Sequence, residues 1–143
     1  MNVADVLAPI PYLRVHQLSV EPCEGAIKLR MPVHKEVTNH VGIVHAGALF
    51  TVAETAAGVA ALDVIPGGQA IVLLRGATIR YTRRAEGDVS AVARITTDQA
   101  SAARAAFDAT SRADARVEVT ATDPEGQTVF EGTFDYALRP RKP

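Results

Sequence analysis

NHVGIVHAGALFTVAETAAG, residues 39–58, sets one carboxylate, Glu54, inside a run of small and apolar residues, nine positions after His45. From Ala46 the run continues as AGALFTVAETAAGVAALDV to Val64. Apolar residues fall on every side of its helical wheel, the pattern of a helix enclosed by other structure. PGG at 66–68 stops it. The segment from Ala46 to Ile65 approaches the length of a membrane span. Thr51, Glu54, Thr55 and Asp63 interrupt it and alanine dominates it, so it reads as the buried helix of a soluble domain.

Outward from this helix the period changes to two. AIKLRMPV (26–33) places Ile27, Leu29, Met31 and Val33 on one face against Lys28 and Arg30, a half-buried strand. YLRVHQLSV (12–20) is rich in β-forming residues and is expected to pair with it across the turn EPCEG. HKEVTNHVGIVH (34–45) is polar and irregular, a loop of the length that commonly carries function. Beyond the helix, AIVLLRGATIRYTRR (70–84) is a long strand in which Gly76 signals a bulge or bend, and GDVSAVARITTD (87–98) is a second. QASAARAAFDATSR (99–112) stays open between helix and loop, since alanine favours the one and serine with Asp108 the other. ADARVEVTATD (113–123) alternates Ala115, Val117, Val119 and Ala121 against Arg116, Glu118 and Thr120. After the turn DPEGQ, TVFEGTFDYAL (128–138) turns Phe130, Phe134, Tyr136 and Leu138 inward.

Two strands, one long helix and about four strands argue for an α+β domain with an antiparallel sheet, because a parallel sheet needs a crossover after each strand. One helix can be enclosed only if the sheet curls around it or a second subunit closes its open side. The whole chain, 1–143, fits a single domain.

Fifteen basic against sixteen acidic side chains give a net charge of -1, so no general positive field draws the chain to nucleic acid or to an anionic membrane. Cys23 is the one cysteine and has no intrachain partner, and MNVADVLAPIPYLRVHQ lacks a basic-then-apolar signal pattern; a cytoplasmic location is expected. No thiol pair or H-x-x-x-H spacing supports a metal, no cofactor motif is present, and no G-x-S-x-G supports a serine nucleophile. His16, His34 and His40 read as core or surface residues.

The start of the long helix presents unpaired N–H groups and a partial positive charge, so the amides of Ala46 and Gly47 can bind the oxygen of a polarised carbonyl. The plainer reading of Gly47 is a loop-to-helix turn. For Glu54 two readings stand side by side. It is the partner of one of the twelve arginines in a structural ion pair, or it is a general base whose desolvation would raise its pKa.

Asn39, Gly42, His45, Gly47, Leu49, Phe50, Ala53, Glu54, Thr55 and Ala56 fall on the pattern N-x-x-G-x-x-H-G-G-x-L-F-x-x-A-D/E-T-A. The chain there resembles the hot-dog fold thioesterases related to the phenylacetic-acid-pathway acyl-CoA thioesterase, and RRAEGDVSAVARI is similar to the R-P-A-x-x-G-D segment after that family's third strand. Ala46 replaces the first glycine of H-G-G, Arg84 replaces the proline, and Glu54 stands where the namesake branch has Asp. A glutamate resembles instead the hydroxybenzoyl-CoA branch, which has a threonine where this chain has Gly58.

The resemblance implies a six-stranded antiparallel sheet wrapped around one central helix and hydrolysis of an acyl-CoA or related thioester. Glu54 would serve as base or nucleophile, the Ala46 amide would hold the oxyanion, and Asn39 and His45 would orient water or thioester. Gly42 and Gly47 would lie in the binding loop. Gly58, one turn past Glu54, removes bulk beside the acyl group, and Arg83 and Arg84 are candidates for the CoA phosphates. A non-catalytic acyl- or CoA-binding domain is the alternative; a hydratase fits less well because no histidine follows an aspartate at five residues.

Distance adds an expectation about assembly. Ala46 and Glu54 are eight residues apart, roughly 12 Å along a helix axis, too far for one helix to supply both groups to one thioester. A two-fold homodimer with antiparallel helices would bring the amide end of one chain beside the acid of the other, and a tetramer could form from two such pairs.

Overall fold

The computed structural model describes residues 1–142. Six strands form one antiparallel sheet in the order β1-β2-β4-β5-β6-β3: β1 (Ser19–Glu21), β2 (Ile27–Met31), β3 (Ala70–Tyr81), β4 (Val89–Arg94), β5 (Ala113–Thr122) and β6 (Thr128–Pro140). Three α-helices accompany it: α1 (Val3–Leu7), α2 (Ala46–Asp63) and α3 (Thr97–Thr110).

α2 is the expected enclosed helix. It packs against β2, β3, β4, β5 and β6, so the sheet is rolled around it. Its length and composition would suit a membrane span, yet most of it is buried inside the roll. The alanines explain how closely the sheet approaches: Ala53, Ala56, Ala57 and Ala61 are fully buried and keep the helix thin. Facing them are Leu29 and Met31 of β2, Val89 of β4, Val117 of β5 and Phe130 and Phe134 of β6, all without exposed surface.

The alternation read in the C-terminal half holds. β5 buries Ala115, Val117, Val119 and Ala121 and exposes the residues between them. β6 buries Phe130, Phe134, Tyr136 and Leu138. Gly76 marks a break in the β3–β6 register, between Leu74 and Gly76, as a glycine inside a strand pattern suggests. β3 is an edge strand, with Ile71, Leu73, Leu74 and Tyr81 exposed along it.

The N-terminal segment corrects one expectation. Residues 12–20 do not form one strand: Pro11–His16 is a 3₁₀ helix, and only Ser19–Glu21 pairs with β2. Pro11 sits in the first helical turn, where its missing N–H costs nothing, and Gln17 ends the turn in the left-handed region at φ 52°. Leu13 and His16 are thereby turned into the core instead of onto a sheet face. The open segment 99–112 is helix α3. Thr96 accepts from the Gln99 amide while the Gln99 side chain accepts from the Thr96 amide, a capping box that decides the competition for helix. Ala103 and Phe107 anchor α3, and Arg104 Nε donates to Val64 O at the end of α2.

Candidate functional site

The loop into α2 is fixed from both sides. Val44 N donates to Ala85 O and His45 N to Val37 O, each at 2.8 Å. Asn39 Oδ1 accepts from the amides of Val41 (3.0 Å) and Ile43 (3.3 Å), so its carbonyl organises the loop and only its NH₂ faces outward chemistry. Gly42 turns the chain at φ +81°, a conformation suited to glycine.

His45 is the N-cap of α2, and its Nδ1 accepts from Gly47 N at 2.8 Å. The ring proton therefore sits on Nε2, which is free to donate. A Cβ at position 47 would lie 3.0 Å from that Nδ1, so Gly47 makes room for the cap. The neighbouring amides of Ala48 and Leu49 both donate to His45 O. Ala46 N–H is left without an acceptor among the described residues, at the positive end of an 18-residue helix. Of the two amides considered, Ala46 is the open one. Ala46 lines a cavity of about 340 Å³ together with Asn39, Tyr81, Arg83 and Arg84. Tyr81 Oη donates to Ala46 O at 3.1 Å, and burial raises the phenol's pKa. Arg83 and Arg84 are exposed and are in no ion pair among the described residues.

Glu54 occupies a second cavity, of about 320 Å³. Phe50, Glu54, Gly58 and Leu62 recur every four residues along α2 and all four line it; each is half-buried while most of the helix is buried. The N-terminal segment closes the far side with Ile10, Tyr12 and Leu13. Tyr12 Oη meets Thr51 Oγ1 at 3.1 Å; Thr51 gives its own proton to Gly47 O, so Tyr12 is the donor.

No lysine or arginine lies within 4.0 Å of Glu54 among the described residues, so the structural ion pair is absent. Its partner is Tyr136, whose Oη lies 2.9 Å from both Glu54 Oε1 and Glu54 O. Burial first, then the charge and hydrogen bond of Glu54, push the Tyr136 phenol far above its ordinary pKa, so it stays a donor. A Cβ at position 58 would meet Tyr136 Oη at 3.6 Å and Glu54 Oε1 at 3.8 Å, ordinary contact distances.

The predicted residues thus fall into two groups in one protomer: Asn39, His45, Ala46, Arg83 and Arg84 at the start of α2, and Glu54 with Gly58 two turns on. The sequence reading missed Tyr136, Tyr81 and the N-terminal wall. A tyrosine among phenylalanines on an inner strand face was the available signal, since a buried hydroxyl needs a partner. No group of three or more His, Cys, Asp or Glu residues among those described could hold a metal ion.

A single long helix rolled inside a six-stranded antiparallel sheet defines the hot-dog fold. The chain belongs to the family described as Domain of unknown function (DUF4442), whose model matches residues 5–138. It is similar to a Pseudomonas aeruginosa protein of unknown function described as "Probable Thioesterase", at 28% identity and TM-score 0.81, covering 97% of this chain and 91% of that one. A Chlorobaculum tepidum protein of unknown function shares the fold at TM-score 0.85 and 14% identity, covering 97% and 93%. A Halobacterium salinarum protein named "Putative esterase VNG_1336C" is 36% identical over 83 residues, 54% of this chain. The match spans about half, 55%, of that relative's length.

Proposed function

We propose that the protein is a thioesterase that hydrolyses a thioester of the acyl-CoA type. The observation that carries the reading is Glu54: a carboxylate with no cation beside it among the described residues, held by a phenol over a largely apolar cavity. A structural ion pair would call for a charged partner, whereas a base needs a fixed but open oxygen. The names of the Pseudomonas and Halobacterium relatives support ester or thioester hydrolysis.

In this reading the acyl group lies along Gly58 and Leu62. Glu54 takes a proton from water as the water oxygen bonds to the carbonyl carbon, or attacks that carbon itself to give, on loss of the thiolate, a mixed anhydride that water then hydrolyses, restoring the carboxylate. The oxyanion accepts from Ala46 N–H, and collapse breaks the C–S bond and releases the thiol after protonation. His45 Nε2–H and the Asn39 NH₂ are the remaining donors at the oxyanion end, and Arg83 and Arg84 meet the phosphates of CoA.

The two groups of residues occupy different cavities, and about 12 Å of helix separates Ala46 from Glu54. The reading therefore includes a homodimer in which each site combines Asn39, His45 and Ala46 of one protomer with Glu54 of the other. The test is thiol release from a panel of acyl-CoAs by the wild type and by Glu54→Ala. Loss of turnover in the variant with binding retained supports it. Tight binding of acyl-CoA without turnover by the wild type would make this a binding domain instead.

A further inference from the structure

We infer that Tyr136 is a positioning residue for Glu54, assigning Oε2 as the reacting oxygen; the inference rests on the thioesterase reading above.

Tyr136 lies on the inner face of β6, in register with Leu74 of β3 and Ala115 of β5, and is 2% exposed. Its inward neighbours on the strand are Phe134 and Leu138, so packing alone asks only for an aromatic or aliphatic body there. The hydroxyl is an extra cost unless it is bonded, and it finds Glu54 twice, at the backbone carbonyl and at Oε1, each 2.9 Å away. One O–H shared between these two acceptors ties the carboxylate to its own helix turn. The side chain of a half-buried glutamate otherwise swings about three torsions; here one oxygen is pinned by a group that cannot itself move, because the ring is packed in the core.

The consequence is a difference between the two carboxylate oxygens. Oε1 is taken, and Oε2 has no partner among the described residues. Oε2 is therefore the oxygen open to water or to a carbonyl carbon. The phenol stays protonated, since burial and the adjacent acid both oppose its ionisation, so it acts only as a donor and takes no part in proton transfer. Gly58 belongs to the same device. It faces the Oη–Oε1 pair, near enough that an added Cβ would touch both atoms at ordinary contact distance.

The experiment is Tyr136→Phe, which removes one oxygen and keeps the ring in place. Against the acyl-CoA that the wild type hydrolyses best, KM should change by less than about twofold while kcat falls by roughly ten- to a hundredfold. In a Glu54→Gln background the same substitution should leave the residual rate unchanged, since it acts through the acid. The melting temperature separates these effects from loss of fold. A kcat within twofold of wild type, or an equally large loss in the Glu54→Gln background, overturns the inference. A wild type that releases thiol from no acyl-CoA, or that keeps its rate in Glu54→Ala, overturns the thioesterase reading and this inference with it.

Discussion

The substitution Ala46→Pro isolates the proposed oxyanion donor. Ala46 is the first helical residue of α2, and its N–H makes no hydrogen bond among the described residues. Proline is well tolerated at that position, and the residue before it, His45, already has the extended backbone that proline demands, at φ -63° and ψ 139°. The substitution therefore deletes one N–H with little cost to the helix. Loss of one such donor should lower kcat by about 10²–10³-fold. Ala46→Pro and Glu54→Ala should then each be nearly inactive alone. If each site draws its amide from one protomer and its acid from the other, a mixed dimer contains one intact site and one site with both defects. Equal mixing with free exchange makes half of the dimers mixed, so about a quarter of the wild-type activity returns. The assay is thiol release after refolding the two variants together, with native mass spectrometry to confirm mixed dimers. No recovery in a sample shown to contain mixed dimers refutes the shared site, and full activity of Ala46→Pro alone refutes the amide's role.

Other outcomes follow from single contacts. Gly58→Ala fits at 3.6 Å and 3.8 Å and should raise stability by up to about 1 kcal/mol through helix propensity, whereas Gly58→Leu should lower kcat/KM for bulky acyl groups far more than for acetyl; thermal melts and an acyl-length series read the two effects. Burial chiefly lowers the pKa of His16, against the opposing backbone bond to Tyr12 and aided by the charge of His34, so the folded state binds its proton less readily than the unfolded chain. Stability from this group is complete above about 6.5 and declines as pH falls through the lower folded value, and His16→Phe should flatten the melting temperature over that interval. Charge reversal of Arg83 and Arg84 should raise KM for acyl-CoA by about fivefold per lost contact of ~1 kcal/mol, with little change for a short pantetheine thioester. Equal effects on the two substrates would remove the phosphate contact.

The parts of the fold that were legible are those in which one side-chain pattern had a single solution. α2 is apolar all round and could only be enclosed, and β5 alternates too regularly to be anything but half-buried. Residues 12–20 misled because a β-forming side chain such as Tyr12 also suits the wall of a cavity beside α2, and Pro11 at the head of the segment was the contrary signal. Segment 99–112 stayed open because the cap lies outside it: Thr96 precedes the alanines by several residues. At the site, the order of Asn39, His45, Ala46 and Glu54 was readable, but the partner of Glu54 was not. Tyr136 is 82 residues away, and only the roll of the sheet brings it there.

The four-residue stripe on α2 bears on how such a protein can change over evolutionary time. Positions 53, 56, 57 and 61 set the radius of the roll, and any enlargement there must push strands apart. Positions 58 and 62 face the cavity, so on the thioesterase reading a lineage can exchange one substrate for another by edits one turn of a helix apart. On the thioesterase reading, selectivity is mutable where stability is not, and the boundary between the two runs lengthwise down a single helix.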